Sequence, residues 1–109
     1  METQHRVVVG DSRDLAEVDD DAVELVVTSP PCPMVELWDE PFADLNPAVA
    51  DRLATGDGRG AFELMYRELD AVWSELERVL VSGGIACVNV GDATRTVDGS
   101  CRSCSGASP

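Results

Sequence analysis

The segment VELVVTSPPCP, residues 23–33, joins an apolar run directly to a cluster of prolines. Val23–Thr28 is rich in β-branched residues and nearly all apolar, which predicts a β-strand that is parallel and covered on both faces. In Ser29–Pro33, each proline ring fixes φ and removes a backbone N–H donor. The strand is therefore expected to end in a rigid turn, which is either a plain loop or a binding site.

Two further predicted strands end in the dipeptide Gly-Asp. Arg6–Val9 is predicted as a buried strand that ends before Asp11, with a short helix over residues 12–18. Ile85–Val90 is predicted as a third strand, followed by Gly91 and Asp92. Because ligands bind at the carboxyl ends of parallel strands, we expect both aspartates to lie at the same sheet edge as the proline turn.

The segment Ala61–Leu80 carries the clearest helical periodicity of the chain and predicts a long amphipathic helix laid on the sheet. We expect this helix to stop at Ser82–Gly84. The connection Met34–Gly60 is predicted to be mostly irregular, with a short helix over Pro47–Leu53 that Asn46 caps. Strands alternating with helices predict an α/β fold. The apolar positions of the long helix are Phe62, Met65, Leu69, Val72, Trp73, Leu76, Val79 and Leu80.

The composition is strongly acidic. The chain has 109 residues, of which 21 are Asp or Glu and 8 are Arg or Lys, so the formal net charge is −13, and no Lys occurs. This balance is compatible with a generic acidic protein and favours a halophilic one. It disfavours non-specific attraction to DNA or to an anionic membrane, although a local Arg-lined groove remains compatible with it. No stretch has the length and apolar character of a transmembrane segment or signal peptide, so we expect a cytoplasmic protein with free thiols.

Four segments, taken in order, resemble the N-terminal half of the amino-group DNA methyltransferases: VVVGDSRDL, VELVVTSPPCP, LDAVWSELERVLVSGG and GIACVNVGDATR. The resemblance covers roughly residues 7–98. It implies a Rossmann-like sheet with mostly parallel strands, the cofactor S-adenosylmethionine, and DNA as partner. These enzymes methylate N4 of cytosine or N6 of adenine, and the version of the motif that begins with Ser is commonly associated with N4 of cytosine.

The resemblance also implies roles for particular residues. Ser29 and the carbonyl of Pro30 are expected to accept hydrogen bonds from the amino group of a base flipped out of the duplex, with Pro31 completing the motif. Cys32 stands where the family normally has an aromatic residue for base stacking. Asp11 is expected near the adenosine of the cofactor, and Asp92 at the same edge.

The resemblance further predicts that residues 1–98 form a partial, truncated catalytic domain. Residues 99–109 have no large apolar side chain and are rich in Ser, Gly and Cys, which predicts a disordered tail unlike the family. The glycine-rich F-x-G-x-G motif that usually follows the catalytic segment does not occur after Asp98. We therefore expect this chain alone to have little or no activity. A second chain that supplies the missing cofactor motif is one alternative, in which this chain is a non-catalytic half.

A second alternative is a cytosine C5 methyltransferase, in which Cys32 is the nucleophile. Against it, Pro33 stands where those enzymes have Gln, and Val88–Val90 lacks the Glu of their Glu-Asn-Val motif. We also expect Trp38, in the long connection, to be a candidate DNA contact. No metal site is predicted, because the pair Cys101 and Cys104 has no second pair of ligands.

Overall fold

The structure is a computed structural model that describes residues 1–91, 94–97 and 100–103. After residue 91, the side chains described are those of Arg95 and Val97. It has α/β architecture, as predicted, and corresponds to part of a Rossmann-like sheet with its helices. None of the helices in the described part is long and apolar enough to cross a membrane. In chain order the elements are β1 (Val23–Thr28), a 3-10 turn (Glu36–Trp38), α1 (Asp39–Leu45), α2 (Ala48–Ala54), α3 (Gly58–Val79), β2 (Leu80–Val88), β3 (Thr94–Val97) and β4 (Ser100–Ser103).

Strands β1 and β2 form a two-stranded parallel sheet, and β3 and β4 form an antiparallel pair. The predicted bounds of β1 are confirmed. The register is interrupted near the start of the sheet, where Val23 lies opposite Leu80 but Leu25 lies opposite Ile85. The extra β2 residues include Gly83, whose φ of 80° is in the left-handed region that favours glycine. The prediction that these glycines stop the helix is therefore wrong: α3 ends at Val79, and the glycines form an irregularity inside β2.

The prediction that the sheet is covered on both faces is also wrong. Leu25 and Val27 are 56% and 75% exposed, and Ile85 on the neighbouring strand is 61% exposed. Because alternate residues of a strand share a face, these side chains form one open apolar face of the sheet. Val26 and Thr28 on the opposite face are half-buried.

The N-terminal segment does not form the predicted strand. Residues 1–22 contain neither helix nor strand, and Val7 and Val9 are 91% and 99% exposed. The pattern of Arg6–Val9 suits a strand, but no described strand pairs with it, and an unpaired strand leaves its backbone groups without partners. The predicted helix over residues 12–18 is likewise replaced by turns.

The long connection is more helical than predicted, because α1 was not expected. The predicted short helix is confirmed as α2, and the Asn46 side chain accepts a hydrogen bond from the Ala48 N–H at 3.1 Å. The long helix is confirmed as α3. Its first turn is capped by Asp57, whose carboxylate accepts a hydrogen bond from the Gly60 N–H at 2.9 Å.

The hydrophobic core lies between the three helices and the proline-rich segment. Its most buried large side chains are Phe42, Val49, Phe62 and Met65, each at most 2% exposed. Cys32 and Met34 belong to the same cluster, whereas no β1 or β2 side chain does within the described ranges. The buried face of α3 therefore packs mainly on the other helices. The prediction that this helix lies on the sheet is wrong.

A network around Arg78 ties the N-terminal segment to α3. The Arg78 guanidinium donates to both carboxylate oxygens of Glu75, to the carbonyls of Val18 and Leu15 at 2.9 Å each, and to Asp20 at 2.7 Å. Glu75 also accepts a hydrogen bond from the Leu15 N–H at 2.6 Å. These contacts hold a segment that has no regular structure of its own.

Candidate functional site

A cleft of about 440 Å³ lies at the carboxyl end of β1. Its walls come from three parts of the chain: the corner Gly10–Arg13, the segment Thr28–Pro31, and side chains of α1 and α3. The cleft therefore brings together four of the predicted site residues, which are Asp11, Ser29, Pro30 and Pro31. They meet although the strand predicted to deliver Asp11 is absent.

Ser29 lies where the sheet ends and the proline segment begins. The Thr28 carbonyl accepts a hydrogen bond from the Asn89 N–H at 2.9 Å, which extends the pairing of β1 and β2 up to this point. Ser29 is exposed, and Pro30 and Pro31 are half-buried. Within the described residues, no hydrogen bond engages the Ser29 hydroxyl, so it can donate to or accept from a ligand in the cleft.

Asp11 is held by Arg13, two residues further along the chain. The Arg13 guanidinium donates to both carboxylate oxygens, with Nη2 to Oδ2 at 2.7 Å and Nε to Oδ1 at 3.1 Å, and the Arg13 backbone N–H donates to Oδ1 at 2.9 Å. These hydrogen bonds lower the pKa of Asp11 below its ordinary value. The carboxylate is thus kept ionised and oriented at the rim of the cleft.

Glu68 on α3 is the second carboxylate of the cleft, and it is not among the site residues predicted from the sequence. It accepts a hydrogen bond from Arg13 Nη1 at 2.6 Å and one from the Asn46 side-chain amide at 3.3 Å. Arg13 therefore bridges the corner Gly10–Arg13 to α3, and its pairing with the two carboxylates raises its pKa. Glu68 lies on the polar side of a periodic helix, and nothing in that pattern distinguishes it from its solvated neighbours.

Cys32 lies next to the cleft but does not line it in the described part of the chain. It is 9% exposed and packs in the core, and its Sγ lies 3.9 Å from the Gly91 carbonyl oxygen. Cys32 is also disulfide-bonded, whereas Cys87 is a free, exposed thiol. The expectation of free thiols is thus wrong for Cys32. Its assignment to the stacking position stays a prediction.

Two other residues predicted to contact a ligand are not placed at the cleft. Asp92, predicted to lie near the cofactor at the same sheet edge as Asp11, is outside the described residues. Trp38 ends the 3-10 turn, is 36% exposed, and is not among the described residues that line the cleft. Its role as a DNA contact stays a prediction.

Comparison with known proteins found two close relatives. The chain is 46% identical over 98 residues to the type II methyltransferase M.MthZI of Methanothermobacter thermautotrophicus. It is 44% identical over 108 residues to the type II methyltransferase M.MjaI of Methanocaldococcus jannaschii. Each match covers 89% of this chain but only 28% and 36% of the respective relative, so the chain spans about a third of their length. No family model and no solved structure matches the chain.

Proposed function

We propose that this chain forms the base-binding part of a site-specific DNA methyltransferase, which transfers a methyl group from S-adenosylmethionine to N4 of cytosine. The observation that carries the proposal is the cleft, which gathers Ser29, Pro30 and Asp11 at the end of β1. The similarity to two proteins named type II methyltransferases supports the same reaction class.

The cleft suits a small molecule with both apolar and polar groups. Beside the carboxylates of Asp11 and Glu68, it is lined by the apolar side chains of Phe42, Leu45, Leu69 and Val72. Its volume of about 440 Å³ is within the range of about 300–1,000 Å³ typical of ligand sites. Asp11 and Glu68 supply carboxylate oxygens, which accept hydrogen bonds from hydroxyl or amino groups such as those of an adenosine. When bound, S-adenosylmethionine supplies a methyl group on a positively charged sulfur, which makes that methyl electrophilic.

The residues of this chain then act on the base. The Ser29 hydroxyl oxygen and the Pro30 carbonyl oxygen accept hydrogen bonds from the two N–H groups of the cytosine amine. Accepting these bonds increases the electron density on N4 and orients its lone pair. The prolines keep the two acceptors in a fixed relation, because their φ angles do not vary. A duplex base must leave the stack to reach such a cleft.

The geometry supports the cytosine C5 alternative less well. That reaction requires an accessible thiolate, and Cys32 is 9% exposed and disulfide-bonded. By contrast, Ser29 and Pro30 both line the cleft.

The proposal is tested by titrating S-adenosylmethionine into the purified chain by calorimetry, at low and at multimolar salt, and then by incubating the complex with duplex DNA. We expect 1:1 binding of the donor, little or no methylation by the chain alone, and N4-methylcytosine among the digested nucleosides where the missing cofactor motif is supplied. A second polypeptide carrying a glycine-rich cofactor motif is added in a parallel arm. N6-methyladenine would correct the target base, and 5-methylcytosine would favour Cys32 as nucleophile. A folded chain that binds no donor and yields no methylated base in either arm would contradict the proposal.

A further inference from the structure

Arg95 on β3 contacts the far end of the proline-rich segment. Its guanidinium forms a two-point pair with Asp39, the first residue of α1, with Nη1 to Oδ1 at 2.6 Å and Nη2 to Oδ2 at 3.0 Å. Nη1 also donates to the Pro33 carbonyl oxygen at 3.2 Å. The Arg95 and Asp39 side chains are only 14% and 24% exposed.

The same guanidinium lies over a core side chain. The Arg95 Cζ is 5.6 Å from the centre of the Phe62 ring, within the distance of a cation–π contact. Phe62 is 2% exposed and belongs to the cluster that also holds Cys32 and Met34. Arg95 therefore links β3 to three other parts of the chain: the start of α1, the core, and the carbonyl at the end of the proline segment.

The proline segment transmits this contact toward the cleft. Its beginning is fixed by the hydrogen bond from the Asn89 N–H to the Thr28 carbonyl, and its end is fixed by Arg95 at Pro33. Three of the five residues of Ser29–Pro33 are proline, so three of the φ torsions between the two anchors are fixed. Cys32, between these two anchors, is itself held by its disulfide and by the core cluster that includes Phe62, so Arg95 acts on the segment both through Pro33 and through that cluster.

We propose that Arg95 is a positioning residue for Ser29: it holds the end of the proline segment, and so sets where the Ser29 hydroxyl and the Pro30 carbonyl lie in the cleft. The importance of that position rests on the function proposed above for Ser29. The positional effect itself does not, because it can be measured without any ligand. Arg95 belongs to the segment GIACVNVGDATR, and no role was assigned to it from the sequence.

The test is the backbone amide resonance of Ser29 in the nitrogen-15 NMR spectrum of the chain, compared among variants. Arg95→Gln removes the charge and the two-point pair, and we expect it to shift the Ser29 resonance while those of Leu25–Val27 stay in place. Arg95→Lys keeps the charge but cannot reach both Asp39 and Pro33 with a planar fork, so we expect a smaller shift. Arg52→Gln, which breaks the exposed pair of Arg52 and Asp57, is the matched control and should leave Ser29 unchanged.

A residue that only stabilises the fold would lower Tm without moving the Ser29 resonance. An unmoved Ser29 in a folded Arg95→Gln variant therefore overturns the proposal. If that variant does not fold, the same comparison is made with Arg95→Lys and Asp39→Asn. An unchanged Ser29 amide resonance in both of these variants also overturns the proposal. Absence of donor binding to the wild-type chain would count against the proposed function alone, since the NMR comparison uses no donor.

Discussion

Ser29 combines exposure with a rigid backbone, and these two properties suit a hydrogen-bonding site. We expect Ser29→Ala to lower kcat/KM for DNA methylation about 10- to 100-fold, because one hydrogen bond of about 1–3 kcal/mol is lost in the cleft. The measurement is the rate of transfer of a labelled methyl group to DNA, in whichever arm of the proposed assay is active. Ser74→Ala on the exposed side of α3 is the control. An unchanged rate in Ser29→Ala would remove the hydroxyl from the mechanism.

Cys32 provides a second prediction at the residue scale. The family pattern suggests that a Tyr here would add a stacking surface, but the position is 9% exposed inside the core. We expect Cys32→Tyr to lower the free energy of unfolding by about 2–5 kcal/mol, because it removes the disulfide of Cys32 and because a larger side chain overpacks the site. Urea denaturation measures this change. Cys87→Tyr, at an exposed position of β2, should have little effect, and a stable Cys32→Tyr variant with tighter base binding would restore the stacking interpretation.

At the scale of the elements, local patterns predicted β1, α2 and α3 well, whereas the strand predicted over Ile85–Val90 matches only the second half of β2, Leu80–Val88. The periodicity of α3 and the β-branched run of β1 are strong signals because each describes a whole element. The pattern of Arg6–Val9 was equally strand-like. A strand also needs a hydrogen-bonded partner strand, however, and the residues of one segment do not specify that partner. The turn residues Ser82–Gly84 likewise suited a helix stop, and only the register with β1 shows that they form an irregularity in β2.

The site could be predicted in part for the same reason. Ser29, Pro30 and Asp11 stand in recognisable motifs, and the cleft unites them. By contrast, Arg13 and Glu68 contact each other across 55 residues of sequence, and Arg95 and Asp39 do so across 56. A surface arginine has no local signature that reveals such a partner. The sequence therefore predicted several residues that line the cleft, but not the side chains that hold them in place.

The contact between α3 and the N-terminal segment leads to a pH prediction. Hydrogen bonds from Arg78 and from the Leu15 N–H lower the pKa of Glu75 in the folded chain. A carboxylate with a depressed folded pKa stabilises the fold fully above its unfolded pKa, and this stabilisation disappears as the pH falls through the folded pKa. We therefore expect Glu75→Gln to lower Tm at neutral pH and to converge with wild type in acid.

Thermal unfolding monitored by circular dichroism across the acidic range measures this convergence. Glu77→Gln is the control, because Glu77 is an exposed residue of the same helix. A Tm difference for Glu75→Gln that stays constant from neutral to strongly acidic pH would show that charge does not explain the contribution of Glu75. Loss of hydrogen-exchange protection at Asp21 and Ala22, whose N–H groups bond the carbonyls of Arg78 and Val79, would locate the effect.

At the scale of the whole molecule, the open sheet face is the most unusual surface. Val27 at its centre is 75% exposed, so Val27→Lys should change the free energy of unfolding by less than about 0.5 kcal/mol. We expect the substitution to reduce self-association in sedimentation experiments, because it places a charge in an apolar patch. Val49→Lys, at a position with 0% exposure, should unfold the chain instead. Strong destabilisation by Val27→Lys would mean that this face is covered.

The net charge of −13 acts on the same whole molecule through repulsion among carboxylates that lack a cationic partner. Raising KCl from about 0.1 M to about 1 M shortens the screening length from about 10 Å to about 3 Å, so distant like charges no longer repel. The exposed pairs of the chain weaken too, but each contributes little. We therefore expect Tm to rise with KCl. Asp19→Asn with Asp21→Asn changes the net charge from −13 to −11, and it should raise Tm at low salt and reduce the gain on adding KCl. A Tm that falls with KCl in the wild-type chain would contradict the halophilic interpretation, because ion pairs would then outweigh repulsion.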